Sequence, residues 1–297
     1  MDNRQAFKPL NWTGVFLVWI SACLYLTGCS PVNLSTPAPT PSPLPSSTPP
    51  VPTPTLVKPT PTPEGCLEQR GQVHRVAFDS EALPQFMIYL PACYDADPDT
   101  LYPVLYLLHG QGFEDDQWIR LGVAVAADDM MWRNEIPPYL IVMPFDKASW
   151  RSVEDDYFGE ALVAELIPFV DEHYRTLARR DYRAIGGLSR GAGWAIRYGL
   201  TRWELFSAFG GHSAAIFYKD NGKLDDWLAE IPAVYMPEIY LDIGDQDKEH
   251  GSAFLFTELL VEEGVSHEWR LFSGNHDESY WSAHVDDYLR WYGGVFR

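Results

Sequence analysis

Short apolar runs rich in β-branched and aromatic residues recur along the chain from residue 73 onward. The first two lie close together and predict a hairpin, whereas longer segments, several with helical apolar spacing, separate the later ones. Strands that alternate with helices predict an α/β fold, with a mostly parallel central sheet of about eight strands and helices on both faces. The predicted strands are 73–78, 86–90, 104–108, 140–143, 184–187, 206–210, 239–243 and 268–272.

Two of the intervening segments show the helical pattern most clearly. Apolar side chains recur at the spacing of one helix face between residues 158 and 170, and again between residues 254 and 260. Pro168 falls inside the first segment. Because proline cannot donate to the helical ladder and clashes with the preceding turn, we expect a kink there.

The first 28 residues have the pattern of an export signal. Arg4 and Lys8 precede an apolar stretch over residues 15–26, which is short of the roughly 20 residues that cross a bilayer. The stretch ends in Leu-Thr-Gly-Cys, which resembles the lipobox of bacterial lipoproteins. The resemblance implies that Cys29 is lipidated and that the mature protein is exported and anchored to the outer face of a bacterial membrane. An ordinary signal peptide and an uncleaved anchor are the alternatives.

A long segment after the signal has a composition that does not support a core. Residues 30–63 are almost entirely proline, threonine and serine, with a few small apolar residues. Such a segment buries too little apolar area to offset ordering and tends towards extended polyproline II conformation. Residues 29–65 are therefore predicted to be a lipidated, disordered stalk, and residues 66–297 a single folded domain.

The overall charge narrows the choice of partners. Hydrophobic residues make up 46% of the chain, which is ample for a core, and the formal net charge is −19. Nucleic acid and anionic membrane surfaces would repel such a chain, so nucleic acid is not expected as a partner and substrates should be neutral or cationic. Solubility alone is the simpler explanation of the acidity.

The cysteines indicate a disulfide rather than a metal site. Of the four, Cys23 lies in the signal and Cys29 in the lipobox, which leaves Cys66 and Cys93. In an oxidising, exported setting such a pair favours a disulfide, and two free thiols are the alternative. Neither cysteine has the spacing of a metal site, and no metal or cofactor is predicted.

The sequence Gly-Leu-Ser-Arg-Gly at residues 187–191 follows a predicted strand and leads into a helical stretch. This pattern is typical of a nucleophile elbow, in which a sharp strand-to-helix turn exposes the Ser189 hydroxyl. The turn tolerates no bulky side chain two residues before or after the serine, and Gly187 and Gly191 meet that requirement. The Arg190 amide, at the positive end of the new helix, would face a developing oxyanion.

A second glycine-rich turn follows the third predicted strand. Its sequence is His-Gly-Gln-Gly at residues 109–112. Flexible glycines allow backbone amides to point at a substrate oxygen, so the Gln111 amide is the candidate for the second oxyanion donor. The alternative is a glycine-rich turn in which His109 is hydrogen-bonded and structural.

A carboxylate that orients a catalytic histidine should come from a loop beside the serine strand. The seventh predicted strand is followed by Gly-Asp-Gln-Asp at residues 244–247. Asp247 fits this role best. Asp245 is the second choice, because Asp242 is expected to lie still within the strand.

The histidine itself should follow the eighth strand. His276 comes directly after that strand and before a helix predicted to run to about residue 292, so it could reach the serine. His284, on the helix, and His267, before the strand, fit less well. Ser189, Asp247 and His276 then appear in the chain order of the α/β-hydrolase triad.

Three segments carry a family resemblance: residues 102–110, 184–191 and 274–276. They resemble the esterase D-like "putative esterase" family of α/β-hydrolases, which includes feruloyl and acetylxylan esterases, enterochelin esterases, S-formylglutathione hydrolases and mycolyltransferases. The resemblance covers residues 70 to 293. It departs at residues 190–192, where Arg-Gly-Ala stands in place of a common Met-Gly-Gly, so the Arg190 side chain is expected to alter the pocket.

The resemblance implies a serine carboxylic-ester hydrolase that needs no cofactor and forms an acyl-enzyme on a small aryl, acyl or carbohydrate-linked ester outside the cell. A cell-envelope acyltransferase and a catalytically inactive binding protein are the alternatives. The oligomeric state is left open. Four tryptophans could line a sugar or aromatic-acyl pocket, although core or rim packing is the more common role: Trp118, Trp150, Trp194 and Trp281.

Overall fold

The computed structural model describes residues 69 to 296, and an eight-stranded sheet runs through this part of the chain. The predicted signal, the stalk, Cys29 and Cys66 lie outside the described residues, so the lipid anchor and the disulfide stay predictions. Within residues 69 to 296, Cys93 is half-buried and has no disulfide partner. No helix in this range combines the length and the apolar composition needed to cross a bilayer.

The strands and helices alternate as the apolar runs predict. The strands are β1 (Gln72–Ala77), β2 (Gln85–Leu90), β3 (Val104–Leu108), β4 (Leu140–Pro144), β5 (Arg183–Leu188), β6 (Ala208–His212), β7 (Glu238–Gly244) and β8 (Glu268–Phe272). The helices are α1 (Gln117–Arg120), α2 (Val123–Trp132), α3 (Phe158–Ala161), α4 (Ile167–His173), α5 (Arg190–Thr201), α6 (Leu224–Glu230), α7 (His250–Glu262) and α8 (Glu278–Val295).

The sheet order is β1-β2-β4-β3-β5-β6-β7-β8. The predicted hairpin is confirmed, since β1 pairs antiparallel with β2, and β2 pairs antiparallel with β4. All the other neighbours are parallel, which confirms the mostly parallel sheet. From β3 the chain moves outward to β4 and then returns to β5 on the other side. The crevice at such a reversal, outside the carboxyl ends of the strands, is where ligands bind in open parallel sheets.

Both faces of the sheet are covered, and β3 shows how. Its five side chains are all buried and alternate between two apolar clusters, one on each face. Residues of α5 belong to the first cluster and residues of α2 and α8 to the second. Each fully buried leucine in such a strand contributes about 2 kcal/mol of transfer free energy, which explains the nearly continuous apolar runs.

Two elements differ in detail from the sequence prediction. The predicted strand 206–210 is observed two residues later, as β6, because Phe206 packs in the core before the ladder begins. The predicted helix over residues 158–170 is confirmed, with a π-helical turn over Leu162–Leu166 between α3 and α4. Pro168 lies in the first turn of α4, so the ladder rearranges directly before the residue that cannot donate to it.

Candidate active site

Ser189 lies in a strained turn between β5 and α5. Its backbone φ is 54° and ψ is −119°, a conformation that residues with a Cβ rarely adopt. A Cβ on Gly187 would lie 2.4 Å from the carbonyl carbon of Gly191, and a Cβ on Gly191 would lie 2.3 Å from the Leu108 carbonyl oxygen. Both contacts are with backbone, so only glycine fits at these two positions.

The structure brings Ser189, His276 and Asp247 together. The Nε2 atom of His276 lies 2.8 Å from Ser189 Oγ, and its Nδ1 lies 2.9 Å from each carboxylate oxygen of Asp247. Since an ionised carboxylate only accepts, the neutral imidazole carries its proton on Nδ1 and leaves Nε2 free to accept the serine proton. The Asp247 side chain is fully buried, and that of His276 is 13% exposed.

Asp247 is held as a charged acceptor. Burial alone would raise the pKa of its carboxyl, but hydrogen bonds from His276, from the Glu249 amide and from Ser213 outweigh burial and lower the pKa below its ordinary value. Asp245, the second choice from the sequence, instead accepts the Gly274 amide at 3.0 Å. That bond ties together the loops after β7 and β8, which carry Asp247 and His276.

The other candidate histidines and Asp242 serve different contacts. His284 stacks on Phe272 with ring centroids 4.0 Å apart, and His267 bonds the Val265 carbonyl. Asp242 lies within β7, as expected, and bonds the buried His212. None of these three imidazoles contacts the Ser189 hydroxyl.

The loop after β3 approaches the elbow closely. A Cβ on Gly110 would lie 3.6 Å from the Ser189 Cβ, and the Gly110 amide donates to Gln117 Oε1 at 2.9 Å. Gln111 follows at the exposed end of this turn, and within residues 69 to 296 its amide donates to no protein acceptor. The Arg190 amide begins α5, before the first intrahelical hydrogen bond, from Gly193 to the Ser189 carbonyl. Two open donors thus flank the serine.

The Arg190 side chain is mostly buried. It is 10% exposed and pairs with the buried carboxylates of Asp146 and Asp156, on the loop between β4 and α3. The sequence indicated that this arginine would alter the pocket, but its partners lie more than 30 residues away and no local pattern identifies them.

His212 and Ser213 follow the sixth predicted strand, which places them near the pocket wall or in a structural role, but the sequence does not indicate that Ser213 lies beside the acid. Ser213 has a φ of 50° and is fully buried directly after β6. Its hydroxyl accepts the Trp281 indole N–H at 3.0 Å and helps to lower the pKa of Asp247. The Trp281 ring in turn packs edge-on against His276, with ring centroids 5.1 Å apart. Its place directly after a parallel strand was the one available signal.

Exposed aromatic side chains cluster on loops at the same edge of the sheet. Trp150 is 76% exposed, and its ring lies against Gly112, where an added Cβ would be only 2.3 Å away. Of the four candidate tryptophans it alone is open to solvent, because Trp118, Trp194 and Trp281 are buried. A cleft of about 440 Å³ beside the elbow is lined by Arg190, Val153, Phe217 and Tyr218, among others.

Residues 69 to 296 contain no group of three or more histidine, cysteine, aspartate or glutamate side chains arranged to hold an ion. The elbow brings together a serine hydroxyl, an imidazole and a carboxylate.

Comparison with known proteins identifies the family of the chain. The family model described as "Putative esterase" matches residues 81–292. Over 225 residues the chain is 29% identical to the "Endo-1,4-beta-xylanase/feruloyl esterase" of Xylanibacter ruminicola, covering 67% of this chain and 30% of that protein. It is 31% identical over 169 residues to "Esterase Rv1288" of Mycobacterium tuberculosis, covering 54% and 34%. The chain thus spans about a third of the length of these relatives.

A solved structure titled "ferulic acid esterase" superposes with a TM-score of 0.69 and 24% identity, covering 77% of this chain and 99% of that chain. At that identity the likeness concerns the fold, which is the α/β-hydrolase fold. The family model covers more than half of the chain, and the matched residues include the elbow, the loop after β7 that carries Asp247 and the loop after β8 that carries His276. The chain therefore belongs to the "putative esterase" family of α/β-hydrolases.

Proposed function

We propose that the protein is a serine carboxylic-ester hydrolase in which Ser189, His276 and Asp247 form the catalytic triad. The observation that carries this proposal is the continuous hydrogen-bonded line from Ser189 Oγ through the imidazole to the Asp247 carboxylate, at a strained elbow on the carboxyl edge of the sheet. Family membership supports the same reaction class.

Acylation begins at the serine hydroxyl. His276 Nε2 takes the proton of Ser189 as Oγ forms a bond to the ester carbonyl carbon, and the carbonyl oxygen becomes an oxyanion. The amides of Gln111 and Arg190 are the donors for that oxyanion. Because they are fixed before reaction, they stabilise the new charge without reorganising, and loss of one such donor typically costs about 3 kcal/mol of barrier.

Collapse of the tetrahedral intermediate releases the alcohol. The bond from the carbon to the alkoxy oxygen breaks, and that oxygen takes the proton from His276 Nε2. Water then enters, gives a proton to the same nitrogen and attacks the acyl carbon. The Ser189 ester breaks, and the acid leaves as the serine regains its proton. Asp247 stabilises the imidazolium in both halves without itself becoming protonated.

Removal of the nucleophile tests this assignment. Ser189→Ala should abolish hydrolysis of short-chain aryl esters, while the wild-type protein turns them over. Ser252→Ala, a half-buried serine on α7, is the matched control and should keep wild-type turnover. Full activity in Ser189→Ala would contradict the proposal.

The setting proposed for this reaction is extracellular, with the Cys29 lipid and the stalk holding the enzyme at the outer face of a bacterial membrane. The lipobox and the proline-rich segment support it. An acyltransferase would use the same acyl-enzyme but pass the acyl group to a sugar acceptor. Product analysis in the presence of oligosaccharides distinguishes the two, and we expect the free acid to dominate.

The substrate proposed is a neutral aryl or carbohydrate-linked ester. The exposed Trp150 ring beside the Gln111 loop supports it, since such faces bind aromatic rings and sugars. Trp150→Ala should raise KM for an aryl ester about threefold to tenfold, in line with a contact worth about 1 kcal/mol. Trp132→Ala, equally a surface tryptophan but at the end of α2, should leave KM unchanged.

A further inference from the structure

Arg190 sits directly after Ser189 and is anchored by two buried carboxylates. Its Nε lies 3.2 Å from Asp146 Oδ2, and its Nη2 bonds Asp156 Oδ2. The side chains of Asp146 and Asp156 are 4% and 0% exposed. The first residue of α5 is therefore fastened to the loop that follows β4.

The loop after β4 is also hydrogen-bonded to the turn that follows β3. The Asp146 amide donates to His109 Nε2 at 2.8 Å. Because Nε2 accepts, the proton of the neutral ring lies on Nδ1, which donates to the Gly110 carbonyl at 2.7 Å. Burial lowers the pKa of His109 to about 4, so the ring stays neutral and keeps this pattern at physiological pH.

The hydrogen bonds to the Gly110 carbonyl determine where the Gln111 amide points. In a trans peptide the carbonyl of one residue and the N–H of the next point in opposite directions. The Gly110 carbonyl accepts the His109 Nδ1–H at 2.7 Å and the Phe113 amide at 3.2 Å, and this pair of bonds aims the Gln111 N–H the other way. On the far side of Gln111, the Gly112 amide donates to Ser149 Oγ at 3.1 Å. Ser149 belongs to the same loop as Asp146, whose carbonyl accepts the Ser149 amide.

We propose that the Arg190 side chain is a positioning residue for the oxyanion site: through Asp146 and His109 it fixes the direction of the Gln111 amide. One residue then supplies one oxyanion donor through its backbone and aligns the other through its side chain. This inference rests on the proposed function, because it assigns a role within that reaction. A buried ion cluster is weak evidence for stability, whereas fixing one arrangement of neighbouring groups is a use that such clusters can have.

The test compares two arginines on α5. Arg197 forms a bidentate pair with Asp220 at 2.7 Å, and its guanidinium lies 5.2 Å from the Trp194 ring centroid, against 5.8 Å for Arg190. Arg197 has no link to the Gln111 loop. Arg190→Met should lower kcat about tenfold to a hundredfold with KM within about twofold, the effect of a misdirected donor. Arg197→Met should keep kcat within about twofold while losing thermal stability.

The affinity of an inhibitor that forms a tetrahedral adduct distinguishes a misdirected oxyanion donor from a general loss of packing. An aryl trifluoromethyl ketone forms an adduct on the serine whose oxyanion needs both amides. Its affinity should fall in Arg190→Met by the same factor as kcat/KM and stay unchanged in Arg197→Met. Arg190→Lys, which keeps the charge but reaches one carboxylate, should recover part of the lost kcat.

Asp146→Asn keeps the test decisive if Arg190→Met does not fold. The asparagine retains an oxygen for the Ala148 amide, but an NH2 group replaces the oxygen that accepts from Arg190, so both the charge and the hydrogen bond to the guanidinium are lost. We expect a folded protein with kcat lowered severalfold. Wild-type kcat in Arg190→Met, or in Asp146→Asn if that variant must decide, would overturn the inference. So would an equal fall in both arginine variants. An inactive wild-type protein would instead overturn the proposed function.

Discussion

Two histidine–aspartate pairs lie side by side near the carboxyl edge of the sheet. In each, Nδ1 bonds a buried carboxylate: His276 with Asp247 at 2.9 Å and His212 with Asp242 at 2.6 Å. They differ in what Nε2 faces. For His276 it is the Oγ of the half-buried Ser189, and for the fully buried His212 it is the Tyr292 hydroxyl at 3.1 Å.

The comparison shows that a histidine–carboxylate pair alone does not make a reactive centre. Asp242 also accepts hydrogen bonds from Tyr280 and Tyr288, at 2.7 and 2.9 Å. Burial raises the pKa of both phenols above the ordinary value, so they remain protonated donors. The His212–Asp242 pair, here called the inner pair, thus joins β6, β7 and α8, whereas His276–Asp247 is the outer pair. The inner pair also supports the elbow, because the His212 carbonyl accepts the Ser189 amide at 2.9 Å.

Replacing each histidine should separate these roles most strongly. His276→Ala should lower kcat/KM by roughly 10⁴ to 10⁶, since it removes the base that activates the serine. His212→Ala should keep most of the turnover per folded molecule but lower the free energy of unfolding by about 2 to 4 kcal/mol, because it leaves buried polar partners unpaired. Steady-state kinetics and urea unfolding measure the two effects. A folded, inactive His212→Ala protein would contradict the comparison.

Replacing Asp247 and Asp242 should separate the roles of the two pairs in the same way, with a smaller effect on kcat than replacing the histidines. Asp247→Asn should lower kcat about 10⁴-fold, because the amide cannot hold the imidazole in the required tautomer. Asp242→Asn should mainly lower the melting temperature, since three donors lose a charged acceptor. Comparable losses of kcat in the two variants, measured on folded protein, would show that the inner pair acts in catalysis.

Replacing Ser213, which follows His212 in the chain and lies beside Asp247, tests the contact between the two pairs. Ser213→Ala should lower kcat about threefold to tenfold, because Asp247 loses one of the hydrogen bonds that hold it and Trp281 loses its acceptor. Ser252→Ala, a nearby serine whose hydroxyl bonds only backbone carbonyls, should leave kcat unchanged. Equal kinetics for both variants would remove Ser213 from the supporting contacts.

His109, a third buried histidine, extends the comparison to pH. Unfolded His109 takes up a proton near pH 6.5, whereas burial lowers its pKa in the fold to about 4. Between these values the unfolded state binds more protons, so the histidine destabilises the fold as pH falls, by up to about 3 kcal/mol in total. The stability advantage of wild type over His109→Asn should therefore shrink from pH 7 to pH 4.5. Parallel unfolding free energies across this range would contradict it.

Local pattern was enough to predict most of the fold. The β3 residues are buried on both faces, so they form an unbroken apolar run that is easy to recognise. The apolar pattern predicts β6 two residues early because Gly211 and His212 are poor strand formers, whereas pairing with β5 and β7 overrides that preference.

The site was predictable where strand ends identify it, and not where contacts are remote. Ser189, Asp247 and His276 each lie within four residues of the end of a parallel strand, so their order along the chain indicates their proximity. The partners of Arg190 and the hydroxyl of Ser213 act across 34 residues or more. Such contacts depend on how loops fold over the sheet, which no local pattern records.

Covalent labelling tests most directly the claim that the outer pair, and not the inner one, activates a nucleophile. The protein is treated with a fluorophosphonate, and the adduct is counted by intact mass and located by peptide mapping. We predict a single adduct on Ser189 in wild type and in His212→Ala, and none in Ser189→Ala or, on the same timescale, in His276→Ala. An adduct on another residue, or an unlabelled wild-type protein, would contradict the account.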